Sequence, residues 1–108
     1  MARATTPFSG LTVLDFSRYL PGGYATQVLA DLGATVIKCE DTGAGDFMRH
    51  DYPTMGNGIS YYITALGRNK KSVSLNLKDQ EVVDWFLKMA KEADVIVESF
   101  RPGVTKKL

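Results

Sequence analysis

Cysteine is almost missing from this chain of 108 residues: Cys39 stands alone, so neither an intrachain disulfide framework nor a cysteine-based zinc site can be assembled. It lies in the apolar run ATVIKC, where a buried and inert thiol is expected. Histidine is as scarce, and His50 without a second histidine reads as a loop residue and not as a metal ligand. Charge of one sign is lacking too. Thirteen basic against twelve acidic side chains leave a net +1, which removes any global electrostatic case for nucleic acid or an anionic membrane. No apolar run reaches membrane-spanning length, and Met1 to Gly10 has neither the basic start nor the apolar stretch of a secretion signal, so a cytoplasmic protein is expected.

Several catalytic signatures are absent as well. Ser17 is not in a G-x-S-x-G turn, and no phosphate loop of the form G-x-x-x-x-G-K-[ST] occurs, because Lys70 and Lys71 follow Gly67 too soon. The dinucleotide fingerprint G-x-G-x-x-G is missing from Leu20-Pro21-Gly22-Gly23-Tyr24-Ala25, although Glu40 ends a strand where a ribose-binding acid would lie. Asp46 and Asp51, on a Gly-rich stretch, read as turn formers and not as an acid/base pair.

What is present is the composition of one globular domain, 44% hydrophobic and 23% charged, able to bury one modest core. Leu11 to Phe16 (LTVLDF) is a short strand; Pro21, Gly22 and Gly23 interrupt the chain, and Ala25, Val28, Leu29 and Leu32 then recur at helical spacing. Gly33 is placed to end that helix in a left-handed cap before a second strand, Ala34 to Cys39. Glu40 to Gly58, with four glycines and Pro53, reads as a long loop of the kind that is functional or mobile. A brief helix over Ile59 to Leu66 precedes the cationic stretch GRNKKSVSLNLKD, whose Val73, Leu75 and Leu77 alternate with Ser72, Ser74 and Asn76 as in a strand. Asp79 is placed to cap a helix with the apolar stripe Val82, Val83, Phe86, Leu87 and Ala90. Asp94 to Glu98 (DVIVE) has the apolar character of a buried parallel strand, SFRPG is a turn, and Val104 begins another helix.

Strands alternating with helices predict an α/β fold, a Rossmann-like parallel sheet with helices on both faces. Ligands of such sheets gather beyond the carboxyl ends of the strands, which selects Ser17 to Gly23, Glu40 to Asp46 and Ser99 to Gly103. Arg18 and Arg101 fall in two of these, and the guanidinium fork suits phosphate. Between Leu66 and Lys78 lie Arg68, Lys70, Lys71 and Lys78 with no acid, while Glu40 to Asp51 holds four acids and Arg49. A local basic segment in a nearly neutral chain suits a compact polyanion such as a nucleotide phosphate; a solvated surface is the plain alternative.

In order, the segments LTVLDFSRYLPGGYATQVLADLGATVIKCED, GAGDFMR, SYYITALGRNKKSVSLNLK and ADVIVESFRPGV resemble the N-terminal part of the family III CoA-transferases, the group related to formyl-CoA transferase and carnitine CoA-transferase. The resemblance covers Gly10 to Leu108 and implies that residues 1–108 are the N-terminal part of a Rossmann-like coenzyme A-binding domain, truncated at its C-terminus. It implies coenzyme A or acyl-CoA as substrate, a carboxylic acid as acceptor, no metal, and an interlocked homodimer at full length. By the same resemblance Arg18, Leu20 and Pro21 lie beside coenzyme A, Leu75, Lys78, Ser99, Phe100 and Arg101 contact its adenine end, and Lys107 approaches its phosphates. Arg68, Lys70 and Lys71 would raise the local potential and reach a phosphate. Departures from the pattern are Gly22-Gly23 for glycine then proline, Thr42 at a position that is arginine in some relatives, and Ser99 for a common asparagine. The aspartate nucleophile of the transferases is expected beyond Leu108, leaving this chain inactive alone. α-Methylacyl-CoA racemase shares the same blocks, so racemisation is the alternative reaction, and a non-catalytic coenzyme A-binding module the alternative from another class.

Overall fold

The computed structural model describes residues 6–108. Four strands, β1 (Thr12–Phe16), β2 (Thr35–Glu40), β3 (Lys70–Ser74) and β4 (Val95–Glu98), form one sheet in the order β3-β2-β1-β4, with every pairing parallel. The helices α1 (Tyr19–Asp31), α2 (Tyr61–Leu66), α3 (Gln80–Glu92) and α4 (Val104–Lys107) are the crossovers and the final turn, and a single 3-10 turn, Phe47–Arg49, interrupts the loop after β2. This is the α/β arrangement expected. Among the described residues no helix is long and apolar enough to cross a membrane.

Alternation along β1 builds two cores, because successive side chains leave a strand on opposite faces. On one face Val13 and Val36 pack with Ala30 and Ala34 at the end of α1. On the other, Leu14, Phe16, Cys39 and Leu75 pack with Val82, Phe86, Met89 and Ala90 of α3. There the Phe16 and Phe86 rings meet edge to face, centroids 4.7 Å apart at 85°, the arrangement the ring quadrupoles favour.

The helix ends follow local chemistry. Asp79 accepts from the Glu81 amide and Ser60 from the Tyr62 amide, capping α3 and α2. Gly33, at φ 103°, closes α1 as expected of a left-handed terminus.

Three local expectations need correction. Pro21, Gly22 and Gly23 do not break the chain but lie inside α1, which begins at Tyr19. Pro21 falls in the first turn, where its missing N–H would have had no partner anyway, and a Cβ on Gly22 would stand 2.1 Å from the Ser17 Cβ. The lysines of the cationic turn belong to β3 itself. Finally, among the described residues β4 stands at the end of the sheet order and not between two strands, with Ile96 half exposed.

Candidate functional site

β1 is apolar until Asp15, which is fully buried on the α1 face. Its register partner Lys38 on β2 and the neighbouring Lys70 on β3 share that face, and both lysine side chains are almost fully buried. Burial by itself would raise the Asp15 carboxyl. Hydrogen bonds from Ser17 and Thr26, then the charges of Lys38 and Lys70, outweigh it and hold the group below its ordinary value. For Lys70 the balance runs the other way, burial lowering the ammonium by more than Asp15 restores. Its Nζ is nevertheless surrounded by oxygens of Thr26 (2.7 Å), Gly23 (3.0 Å) and Asp15 (3.2 Å), the environment of a charged ammonium.

Lys38 reaches the other way. Its Nζ donates to the Ser17 carbonyl at 3.0 Å and lies 2.7 Å from Asp46 Oδ2. That second contact is a charge pair without hydrogen-bond alignment. Glu40, at the end of β2, accepts from Arg49, the Asp46 amide and Ser72. Burial opposes ionisation here as well, but these donors bring the carboxyl down to about 2.

Above this polar layer the chain turns sharply. Arg18 is extended and Tyr19 is left-handed, at φ 61°, a conformation uncommon for a residue with a Cβ. The Tyr19 ring stacks on Phe47 at 5.6 Å, and no side chain caps the N-terminus of α1. The Arg18 amide donates to Ser99 Oγ at 2.9 Å, its guanidinium donates to the Gly45 carbonyl at 2.9 Å, and Asp41 lies 3.5 Å from it. The ends of β1, β2 and β4 are thereby drawn together.

Between them opens a cavity of about 180 Å³ beyond the carboxyl ends of the strands. Buried Phe16 and Leu75 with part-buried Phe100 give it apolar walls, and Arg18, Lys78 and Asp41 supply charge. A larger apolar cavity of about 350 Å³ adjoins it under α3, sharing Phe16, Leu77, Phe100 and Leu108. Of the residues singled out from sequence, Arg18, Leu75, Lys78 and Phe100 line the smaller cavity. Ser99 touches the site through the Arg18 amide. Leu20 and Pro21 are exposed on the first turn of α1, and Arg101 and Lys107 are exposed on the chain after β4; none of these four lines the cavity.

The cationic stretch divides. Lys70 is turned under the sheet's polar layer, and Arg68 is held by Asp31 at 2.7 Å. Exposed Lys71 borders, together with Arg68 and Lys70, a separate polar cavity at the β3 edge. Only Lys78, of the four cations from Arg68 to Lys78, lies on the cavity at the carboxyl ends.

The sequence model of CoA-transferase family III matches residues 8–108. The chain belongs to that family. Among similar CoA-transferases, the acetyl-CoA:oxalate CoA-transferase of Acetobacter aceti is 44% identical over 107 residues, covering 99% of this chain and 27% of the relative. The formyl-CoA:oxalate CoA-transferase of Escherichia coli is 42% identical over 99 residues, covering 92% of this chain and 24% of the relative. A hypothetical protein of Mycobacterium tuberculosis superposes with a TM-score of 0.84 at 40% identity, over 94% of this chain and 27% of that one. A CAIB/BAIF family protein of Brucella suis gives 0.86 at 34% identity, over 96% and 28%. The chain thus spans about a quarter of the length of the curated relatives it matches.

For this CoA-transferase family member the sequence reading missed the layer beneath the cavity: Asp15, Thr26, Lys38 and Glu40 in its structural role. A signal existed for two of them. Asp15 and Lys38 are charges inside otherwise apolar strands, and charges in such places are paired or bound.

Proposed function

We propose that the protein transfers coenzyme A between an acyl-CoA and a carboxylic acid, with this chain forming the coenzyme A-binding portion. The exchange is balanced: R–CO–SCoA and R′–COO⁻ give R–COO⁻ and R′–CO–SCoA. Relatives named for acetyl-CoA, formyl-CoA and oxalate support that substrate class. The observation that carries the binding role is the convergence of Arg18, Leu75, Lys78 and Phe100 on one cavity at the carboxyl ends of a parallel sheet, the place where such sheets take nucleotides.

Each residue then has a role. Phe100 lies against the adenine ring, where stacking is worth roughly 1–3 kcal/mol by analogy with bases on aromatic side chains. Leu75 closes the apolar side. Lys78 is the direct contact at the adenine end, and Arg18, held by the Gly45 carbonyl and Asp41, turns its remaining N–H groups to the same ligand. Ser99 acts through the Arg18 backbone, Leu20 and Pro21 border coenzyme A where α1 begins, exposed Arg101 borders the adenine end, and exposed Lys107 approaches the phosphates from solvent. The acyl-carrying aspartate lies outside these residues, and the working enzyme is a homodimer.

Calorimetric titration with coenzyme A and with 3′-dephospho-CoA tests the site; tighter binding of intact coenzyme A ties the basic side chains to the 3′-phosphate. No binding to the folded protein at its natural length removes the proposal. Incubating that protein with acyl-CoA and a panel of carboxylates tests the reaction. Deuterium uptake at the α-carbon of a 2-methylacyl-CoA without any acceptor would replace transfer by racemisation.

A further inference from the structure

Ser17 is buried between Phe16 and Arg18, both of which line the cavity, and buried side chains hold all three of its polar groups. Its amide and its hydroxyl both donate to Asp15 Oδ1, the amide at 2.9 Å, and its carbonyl accepts from Lys38 Nζ at 3.0 Å. The second oxygen of Asp15 accepts from Thr26 Oγ1 at 2.6 Å and from Lys70 Nζ at 3.2 Å. Lys70 begins β3 in register with Val36, one row below Asp15, so its side chain crosses β2 to reach a carboxylate two strands away.

We propose that Lys70 is a positioning residue for coenzyme A binding: through Asp15 it fixes Ser17, and through Ser17 the turn that presents Arg18 to the cavity. The inference rests on the coenzyme A reading of that cavity. Three observations support it. The only described acid that Lys70 pairs with is Asp15, whose other oxygen is given wholly to Ser17. Nζ also grips the Gly23 carbonyl and Thr26 Oγ1, so one ammonium joins the start of α1 to the end of β1. Thirdly, Ser17 lies so close to Gly22 that any Cβ there would overlap it, so the start of α1 packs directly on Ser17. A buried ion pair is a poor device for stability alone, since well-packed apolar residues serve as well. What an apolar couple cannot do is orient the amide and hydroxyl of Ser17.

The test uses the protein at its natural length, comparing the wild type with Lys70→Met, Lys70→Arg, Ser17→Ala and the Lys70→Met/Ser17→Ala double variant. Coenzyme A affinity, thermal midpoint and amide exchange at Ser17 and Arg18 are measured together. The expected result is that Lys70→Met weakens coenzyme A about tenfold, the worth of the one charge-assisted contact that Arg18 would lose, and that Lys70→Arg restores most of it. Because both residues act through one link, the double variant should bind no worse than the weaker single. Amide exchange at Arg18 should quicken in Lys70→Met and in Ser17→Ala alike. If Lys70→Met does not fold, Ser17→Ala carries the same expectations for affinity and exchange. Unchanged coenzyme A affinity in a folded variant with a lowered midpoint, or losses that multiply in the double variant, would overturn the proposal. A wild type that fails to bind coenzyme A would sink the cavity's assignment instead, while unchanged Arg18 exchange would separately refute the mechanical link.

Discussion

Arg49 and Glu40 are joined by two hydrogen bonds, Nε to Oε1 at 2.7 Å and Nη2 to Oε2 at 2.6 Å, which tie the loop after β2 onto the last residue of that strand. With the Asp46 amide and Ser72 added, Glu40 is lowered from 4.5 to about 2. A carboxyl depressed by folding stabilises the native state above its unfolded value and loses that contribution as pH falls toward the folded one. The contribution, on the order of 3 kcal/mol, should be intact at pH 6 and more than half lost by about pH 3. Urea denaturation at the two pH values checks it, and Glu40→Gln should flatten much of the difference.

Lys38 and Asp46, like Lys70 and Asp15, form a charge pair with both side chains almost wholly buried. Lys38→Met strands a buried carboxylate and should cost about 3–5 kcal/mol, whereas Lys38→Met with Asp46→Leu should recover most of that loss. Chemical denaturation of the three variants decides it; equal losses in the single and double variants would contradict the pairing.

Phe16 closes the second core against Phe86 and stands 6.4 Å from Phe100. Phe16→Ala should destabilise by about 3–5 kcal/mol through lost burial and the cavity left behind. The same variant should weaken coenzyme A by loosening Phe100, measurable by calorimetry at a temperature where the variant is still folded.

Lys78 lies on the cavity and Lys71 does not. Lys78→Ala should therefore weaken coenzyme A about tenfold, the worth of one charge-assisted hydrogen bond, and Lys71→Ala should change it little. Equal losses that shrink alike with added salt would indicate a diffuse field and no defined contact.

The alternation of strand and helix was legible because the apolar runs over β1, β2 and β4 and the stripe of α3 fall on those elements, with Gly33 and Asp79 at helix ends, whereas the alternation Val73, Leu75, Leu77 runs past β3, which ends at Ser74. The start of α1 was not. Pro21-Gly22-Gly23 carries the local signature of a turn, and only the close approach to Ser17 explains why glycine belongs in that helix. Arg18, Leu75, Lys78 and Phe100 could be assembled in advance because their segments follow strand ends or the resemblance supplied them. Lys70 could not be assigned from the charge pattern, since a lysine beside two other cations looks solvated. Its role depends on which face of β3 it occupies, and a shift of one residue in register would have exchanged it with Lys71.

The order β3-β2-β1-β4 leaves the sheet with two outer rails of different character. Along β3 the exposed side chains are Lys71, Ser72 and Ser74, and a lysine there discourages the docking of a stray strand. Along β4 the run is Val95, Ile96 and Val97, with Ile96 half open to solvent and no charge before Glu98. A further strand would therefore meet an apolar margin beside β4 and a lysine-guarded one beside β3.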